Sequence, residues 1–496
     1  MSATKGLFVR SSKFRHVFGT PAKKDKCYDN LKISKGPHES DMSAVNSKFI
    51  AVVTEVRGGG SFIVLPLEKV GRIDINYPKV TGHRDPVLDV AWNPFNENEV
   101  ASASEDCTIK LWDIPDGGLT EDMKDPSLTL EGHQKKVGHI RWHPSATNVL
   151  ASASADNTIR VWNTETGGVL SATGAFPDMI QSICWNYNGS RIATTCKDKK
   201  IRVVDARTGD VLQENKGHDG NKPSRVVFCG KTDKLFTSGF SRMSERQFAL
   251  WDVNHMDKPL AMEVIDNASG VLFPFWDDGT NMVYLVGKVG LAGLCKRPGH
   301  IMYDCVLIQG DTNIRYFEVT DESPYVFFLS MYQSSVPARS VCSMPKRHMD
   351  FMKCEVMRFF KVQHTKGLVE PLSMTVPRKS EMFQGDIFPA CPSEEPALTA
   401  EEWISGTNKD PILMEFSSEG AGSGPVKIKA AAAKKKPTVR TAAVSSAAPS
   451  APGEFSTLEE YCQGCTELEN VNFELYRKAY KLLEEENKML RAKLGM

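Results

Sequence analysis

His83 and Asp106 stand 23 residues apart in the chain, and His133 and Asp156 repeat the interval. An imidazole held against a carboxylate is the arrangement of a general base, and a serine within reach would complete a nucleophilic triad. Ser102 and Ser104 are both candidates for the first pair. The chain's other chemistry-bearing spacing is the CxxC of Cys462 and Cys465. A structural zinc site needs four ligands, and no second CxxC or His pair lies nearby, so no metal is expected there. The sequence contains no G-x-S-x-G, G-x-x-x-x-G-K-[ST] or H-E-x-x-H, the spacings that mark hydrolases, phosphate-binding loops and zinc proteases. The His–Asp pair recurs together with its surroundings, and an active site has no reason to repeat. A structural role, with no catalytic residues and no cofactor, is the expectation.

The surroundings define a repeat. ASASEDCTIKLWD (101–113) returns as ASASADNTIRVWN (151–163), each preceded by Gly-His at Gly82 and His83 or Gly132 and His133. Asp106, Asp156, Asp198 and Asp311 each precede by six a large apolar residue, namely Trp112, Trp162, Val204 and Phe317, and Glu245 and Trp251 keep the interval. Aspartate suits a tight hairpin because its side chain bonds its own backbone. Tryptophan can bury its ring and still offer an N–H. The pattern resembles WD40, with four strands and about 40–45 residues per blade. The fold class expected is all-β, a seven-bladed WD40 β-propeller, with blades near 44–67, 82–113, 132–163, 176–205, 217–252, 266–319 and 325–362. His83, Asp106, Trp112, His133, Asp156 and Trp162 are its structural residues.

A ring must close, because an open edge strand invites aggregation. RSSKFRHVFG (10–19) mixes basic and apolar residues. It reads either as a nucleic-acid arm or as a strand with one solvated face. With seven blades and the last one short of strands, residues 7–18 are expected to close it. The propeller is then 1–362.

Residues 363–416 carry six prolines and the aromatic residues Phe383, Phe388 and Trp403, and read as an extension packed on the propeller. Residues 417–455 are rich in Gly, Ser, Ala and Pro with a basic run, a disordered linker. In 456–496, Phe473, Tyr476, Tyr480, Leu483, Asn487, Leu490 and Leu494 alternate in steps of three and four, the seam of a coiled coil with Asn487 as a register-fixing polar position. Lys plus Arg equals Asp plus Glu at 61 each, but residues 1–36 hold nine Lys/Arg against two Asp. That local excess of +7 is drawn to acidic surfaces. No apolar run approaches the ~20 residues of a membrane helix, so a cytoplasmic protein without a transmembrane segment is expected.

Several strings together resemble the coronin family: VRSSKFRHVFG at the start, GFSRMSERQFALWD (239–252), MPKRHMD (344–350), MTVPRKSEMFQGDIFP (374–389) and EEWISGTNKDPIL (401–413). The resemblance implies a non-catalytic protein that binds filamentous actin, engages the Arp complex, works with cofilin at the cortical actin cytoskeleton, and oligomerises through its coiled coil, commonly as a trimer. Asn487 suits a dimer as well. A basic family position for actin binding matches Lys32, with Lys23, Lys24 and Lys26 in the same basic segment. Lys keeps the charge of an Arg there but not its planar fork.

One stretch departs from the repeat. The turn acids Asp106, Asp156, Asp198 and Glu245 are 42–50 residues apart, but Glu245 to Asp311 is 66, and removing 289–309 restores 45. The segment is apolar for a surface loop. It starts with Val and ends with Gln, whose codons can supply the ends of an intron. A retained intron and a genuine loop both fit.

Overall fold

The computed structural model describes residues 12–34, 36, 40–56, 58–288, 313–334, 336–380 and 382–416. Residues 7–11 of the expected closing strand, the 289–309 segment, Asp311, the linker and the whole of 456–496, including Tyr476, Tyr480, Leu483, Asn487, Leu490 and Leu494, lie outside the described residues.

Six sheets of four antiparallel strands and a seventh composite sheet follow one another along the described chain, the blades of a propeller. Blade 1 comprises Ser43–Val45, Phe49–Thr54, Gly60–Pro66 and Lys79–His83; blade 2 Val87–Trp92, Glu99–Ser104, Ile109–Asp113 and Leu128–Leu130; blade 3 Val137–Trp142, Val149–Ser154, Ile159–Asn163 and Val169–Ala172. Blade 4 comprises Ile180–Trp185, Arg191–Cys196, Lys200–Asp205 and Val211–Lys216; blade 5 Arg225–Phe228, Lys234–Phe240, Arg246–Asp252 and Ala261–Asp266; blade 6 Leu272–Asp277, Met282–Gly287, Ile314–Val319 and Val326–Tyr332. Middle strands are covered on both faces by neighbouring blades, so they read as continuous apolar runs. Phe49–Thr54 and Gly60–Pro66 are buried along their whole length, whereas the outer strand Val211–Lys216 is exposed at almost every position. The hairpin aspartates act as expected. Asp106, Asp156 and Asp198 accept from the backbone N–H two residues on, at 3.0–3.1 Å. This lets Cys107, Asn157 and Lys199 take left-handed turn positions at φ 68–69.

Blade 7 is built from both ends of the described chain. Ser340–Ser343, Glu355–Gln363 and Leu368–Thr375 pair in order, and Phe18–Pro21 and Tyr28–Asp29 both pair antiparallel with Leu368–Thr375. The expected boundaries need two corrections. Among the described residues closure falls on Phe18–Pro21, and residues 13–16 form a turn with Phe14 and the following Val17 buried in the core, while 7–11 lie outside the described residues. The propeller runs to Thr375, not 362, and Val326–Tyr332 is the outer strand of blade 6. Pro371 made 368–375 look like an extension. It is tolerated because a proline carbonyl still accepts, here from Ala22 N–H at 2.8 Å.

Residues 383–416 lie against the turns between first and second strands. Ala397 N–H donates to Ser145 O at 2.8 Å, and Lys231 pairs with Asp410 at 3.1 Å. A helix, Ala400–Ile404, starts in a capping box of Thr399 and Glu402 and delivers Trp403. Trp403 is fully buried, edge-on to His143 and Trp185, and its indole N–H donates to Gly189 O at 3.1 Å. The expected outcome for Trp403→Ala is a loss of about 3–5 kcal/mol in urea unfolding, with Trp403→Phe losing only about 1 kcal/mol for the missing hydrogen bond.

Candidate functional site

The His–Asp pairs form as the sequence suggests, and they join neighbouring blades. His83 ends the outer strand of blade 1. Its Nδ1 meets Asp106 Oδ2 at 2.8 Å and its Nε2 meets Ser102 Oγ at 2.8 Å in blade 2, while the Trp112 indole N–H donates to the same Ser102 Oγ at 2.8 Å. Of the two candidate serines, Ser104 instead donates to Asp85 O at 2.8 Å. His133, Asp156, Ser152 and Trp162 repeat the network between blades 2 and 3. Gly82 is required because a Cβ there would stand 2.6 Å from the Trp112 ring and 2.3 Å from Lys124 O. Each serine hydroxyl is shared by an imidazole and an indole and lies buried against the ring, out of reach of a substrate.

The network decays around the ring in ways the interval of six does not show. In blade 5 Glu245 bonds to Ser241. Gln247 takes the acid's place, its Nε2 2.8 Å from His218 Nδ1, with His218 Nε2 and the Trp251 indole on Thr237 Oγ1. The hairpin of blade 5 is longer, running to a Phe240–Arg246 pair, so the acid interval lands in the turn instead of beside the imidazole. In blade 4 Asp198 holds Arg202 at 2.5 Å, and Arg202 Nε reaches Glu214 at 2.6 Å.

A second charged cluster, with Asp89 and Lys288 buried and Asp41 and Arg141 half-buried, lies among the innermost strands. Arg141 pairs with Asp41 at 2.5 Å and with Asp89 at 3.2 Å. Lys288 lies 3.6 Å from Asp41, with its Nζ 3.4 Å from the centre of the Phe273 ring. Burial pushes Lys288 down to about 8, against the pull of Asp41, and pushes Asp89 up to about 6, against Arg141. Asp41 and Arg141 also line a cavity of about 510 Å³, together with Trp185, Tyr187, Arg225, Trp276 and Pro392 among others. Glu97, His348 and Glu394 converge closely enough to consider a metal. However, Arg347 Nε donates to Glu394 Oε1 at 3.1 Å and to His348 Nε2 at 3.0 Å, so a guanidinium already supplies the positive charge.

The basic segment is split by the fold. Lys23, Lys24 and Lys26 are exposed on the loop between the two closing strands, along the outer edge of blade 7. Lys32 is exposed at one end of the ring, on the seam between blades 7 and 1. Its flanking residues Leu31 and Ile33 are buried, Leu31 N–H donates to Gly367 O at 2.9 Å, and Glu55 N–H donates to Lys32 O at 2.9 Å. That end carries the turns between second and third strands, opposite the one covered by residues 383–416. Sequence spacing gave no sign that 364–367 would lie beside Lys32.

Residues 7–72 match a domain of unknown function, DUF1899. The WD domain G-beta repeat matches 76–113, 124–163 and 169–205, and a further type of WD40 repeat matches 369–411. The WD40 domain of Toxoplasma gondii coronin superposes with a TM-score of 0.73 at 31% identity, covering 82% of this chain and 98% of that one. The chain belongs to the coronin family. A chain of the mitotic checkpoint complex also superposes, at a TM-score of 0.52 and 12% identity over 76% of this chain and 99% of that one, and shares the fold alone.

In this coronin propeller the buried histidines set a pH window. Burial pushes His143 down to about 3 and His218 down to about 4, below the ~6.5 of an unfolded chain. The unfolded state therefore binds more protons, and stability is full above about pH 6.5 and falls as pH drops toward 4. Burial alone would raise Asp156, but bonds from Thr158, Gln134 and His133 outweigh it and hold it at about 2. Its contribution is present above about pH 4 and lost below that. Urea midpoints measured from pH 8 to pH 3 should decline from pH 6.5, with a shallower decline in His218→Gln. At pH 7.5 Trp112→Phe should cost about 1 kcal/mol for its lost donor.

Proposed function

We propose that this coronin binds the side of actin filaments through its basic surface and regulates filament organisation and turnover without catalysis. The observation that carries the reading is Lys32, a cation held exposed on a closed blade seam by backbone bonds on both sides, in a chain of this family. Filament surfaces are acidic, and an exposed cation fixed on a rigid scaffold loses little entropy on meeting one. Lys23, Lys24 and Lys26 extend the positive surface along the rim of blade 7. The Arp complex and cofilin are the proposed co-workers, and the cytoplasm and cell cortex the proposed location. Residues 456–496 form the proposed coiled coil, with Tyr476, Tyr480, Leu483, Asn487, Leu490 and Leu494 on its seam and a trimer as the favoured assembly. Joining weak sites raises avidity by ~10²–10⁴ with no new contact.

Lys32→Glu should reduce co-sedimentation with actin filaments while leaving the unfolding temperature unchanged. Binding of the unaltered protein should fall between 50 and 200 mM salt, since exposed charges are screened over about 8–10 Å there. A variant that pellets like the parent would remove Lys32 from the contact. Deleting 456–496 should give a monomer by light scattering that binds filaments less tightly and no longer crosslinks them. A persistent oligomer would place the assembly determinant elsewhere.

A further inference from the structure

Closure of the ring brings the turn that carries Lys366 against the backbone beside Lys32. The pairing of Tyr28 with Val369 runs antiparallel toward the hairpin turn, and the Leu31 N–H to Gly367 O bond continues it at 2.9 Å. Lys32 and Lys366 are each one residue from that bond, and both are exposed. Their separation is fixed by Gly367. It sits at φ +59, and a Cβ on it would stand 2.6 Å from Leu31 O, so no side chain fits without moving the turn. Several nearby carboxylates are already engaged: Glu370 accepts from Gln363 at 2.9 Å and from Lys361 at 3.5 Å, and Asp29 accepts from Asn30 N–H at 2.7 Å.

We infer that the 364–367 turn is the second half of the filament-contacting surface, with Lys366 as a contact residue and Gly367 as the residue that positions it against Lys32. The inference rests on the reading of Lys32 as a filament contact. It assigns to the interface a turn more than 300 residues from Lys32 in the chain. It also makes the contact available only in a closed ring, since the Leu31–Gly367 bond joins the two ends of blade 7.

The test uses the full chain and co-sedimentation with actin filaments at two salt concentrations, with unfolding temperature as the control for folding. Lys366→Glu should weaken binding roughly threefold to thirtyfold, as loss of one exposed attraction and gain of one repulsion would, and should flatten the salt dependence. Gly367→Ala removes no charge but should weaken binding when both lysines are present. In the Lys32→Glu, Lys366→Glu background it should change nothing further, an outcome that a general loss of stability would not give. If Lys366→Glu pellets like the parent while Lys32→Glu does not, the turn is outside the contact and the inference fails alone. If Lys366→Glu is weakened and Lys32→Glu is not, the turn stands and the role of Lys32 falls. If neither is weakened, both fall. If Gly367→Ala weakens binding equally in both backgrounds, Gly367 has no positioning role.

Discussion

The structure depends on one sheet that cannot be completed locally. Blade 7 has three consecutive strands of its own, and the edge of Leu368–Thr375 presents unpaired N–H and C=O groups until Phe18–Pro21 and Tyr28–Asp29 arrive from the other end of the chain. An unpaired edge of that length is an aggregation site. The pairing that removes it also defines the blade seam, and the seam defines where Lys32 and the 364–367 turn stand. Ring closure and the candidate contact surface are therefore one structural event, and any change that opens the ring dismantles the surface without touching a lysine.

The other blades are held by a graded set of side-chain links. Between blades 1 and 2 and between blades 2 and 3, an imidazole from the preceding blade's connection reaches a serine and an aspartate of the next. In blade 5 a neutral amide replaces the carboxylate against His218, and in blade 4 an Arg–Asp–Glu cluster takes over. Blade-to-blade packing is mostly apolar burial, and these links fix rotation and register on top of it. The cluster of Asp41, Asp89, Arg141 and Lys288 adds a charged tie between the entry to blade 1 and the inner strands.

Much of this was legible in the sequence where the side chains themselves do the joining. The Gly-His, Asp and Trp positions of blades 2 and 3 could be read from spacing because each is demanded by a close contact, as Gly82 is by the Trp112 ring. The link in blade 5 was not legible because its longer hairpin shifts the partner of His218 from the turn into the strand. The end of the propeller was misplaced because Pro371 looks like a breaker, although a carbonyl is all that position needs. Lys32 emerged from a family resemblance, not from local pattern. Lys366 was not legible at all, since its neighbourhood with Lys32 exists only after closure.

That closure also has a timetable. Pro21 pairs with Leu372, about 350 residues later. At about 5–20 residues per second, a ribosome that has released the N-terminal strand needs roughly 20–70 s more to produce its partner. Through that interval six blades can form in sequence, each from contiguous chain, while the amphipathic Phe14–Tyr28 segment has no sheet to join. Until then the segment's apolar residues have no partner strand, the condition under which an incomplete chain is prone to aggregate. A destabilising change in blade 7 is expected to lower the yield of correctly made protein more than the stability of the molecules that finish.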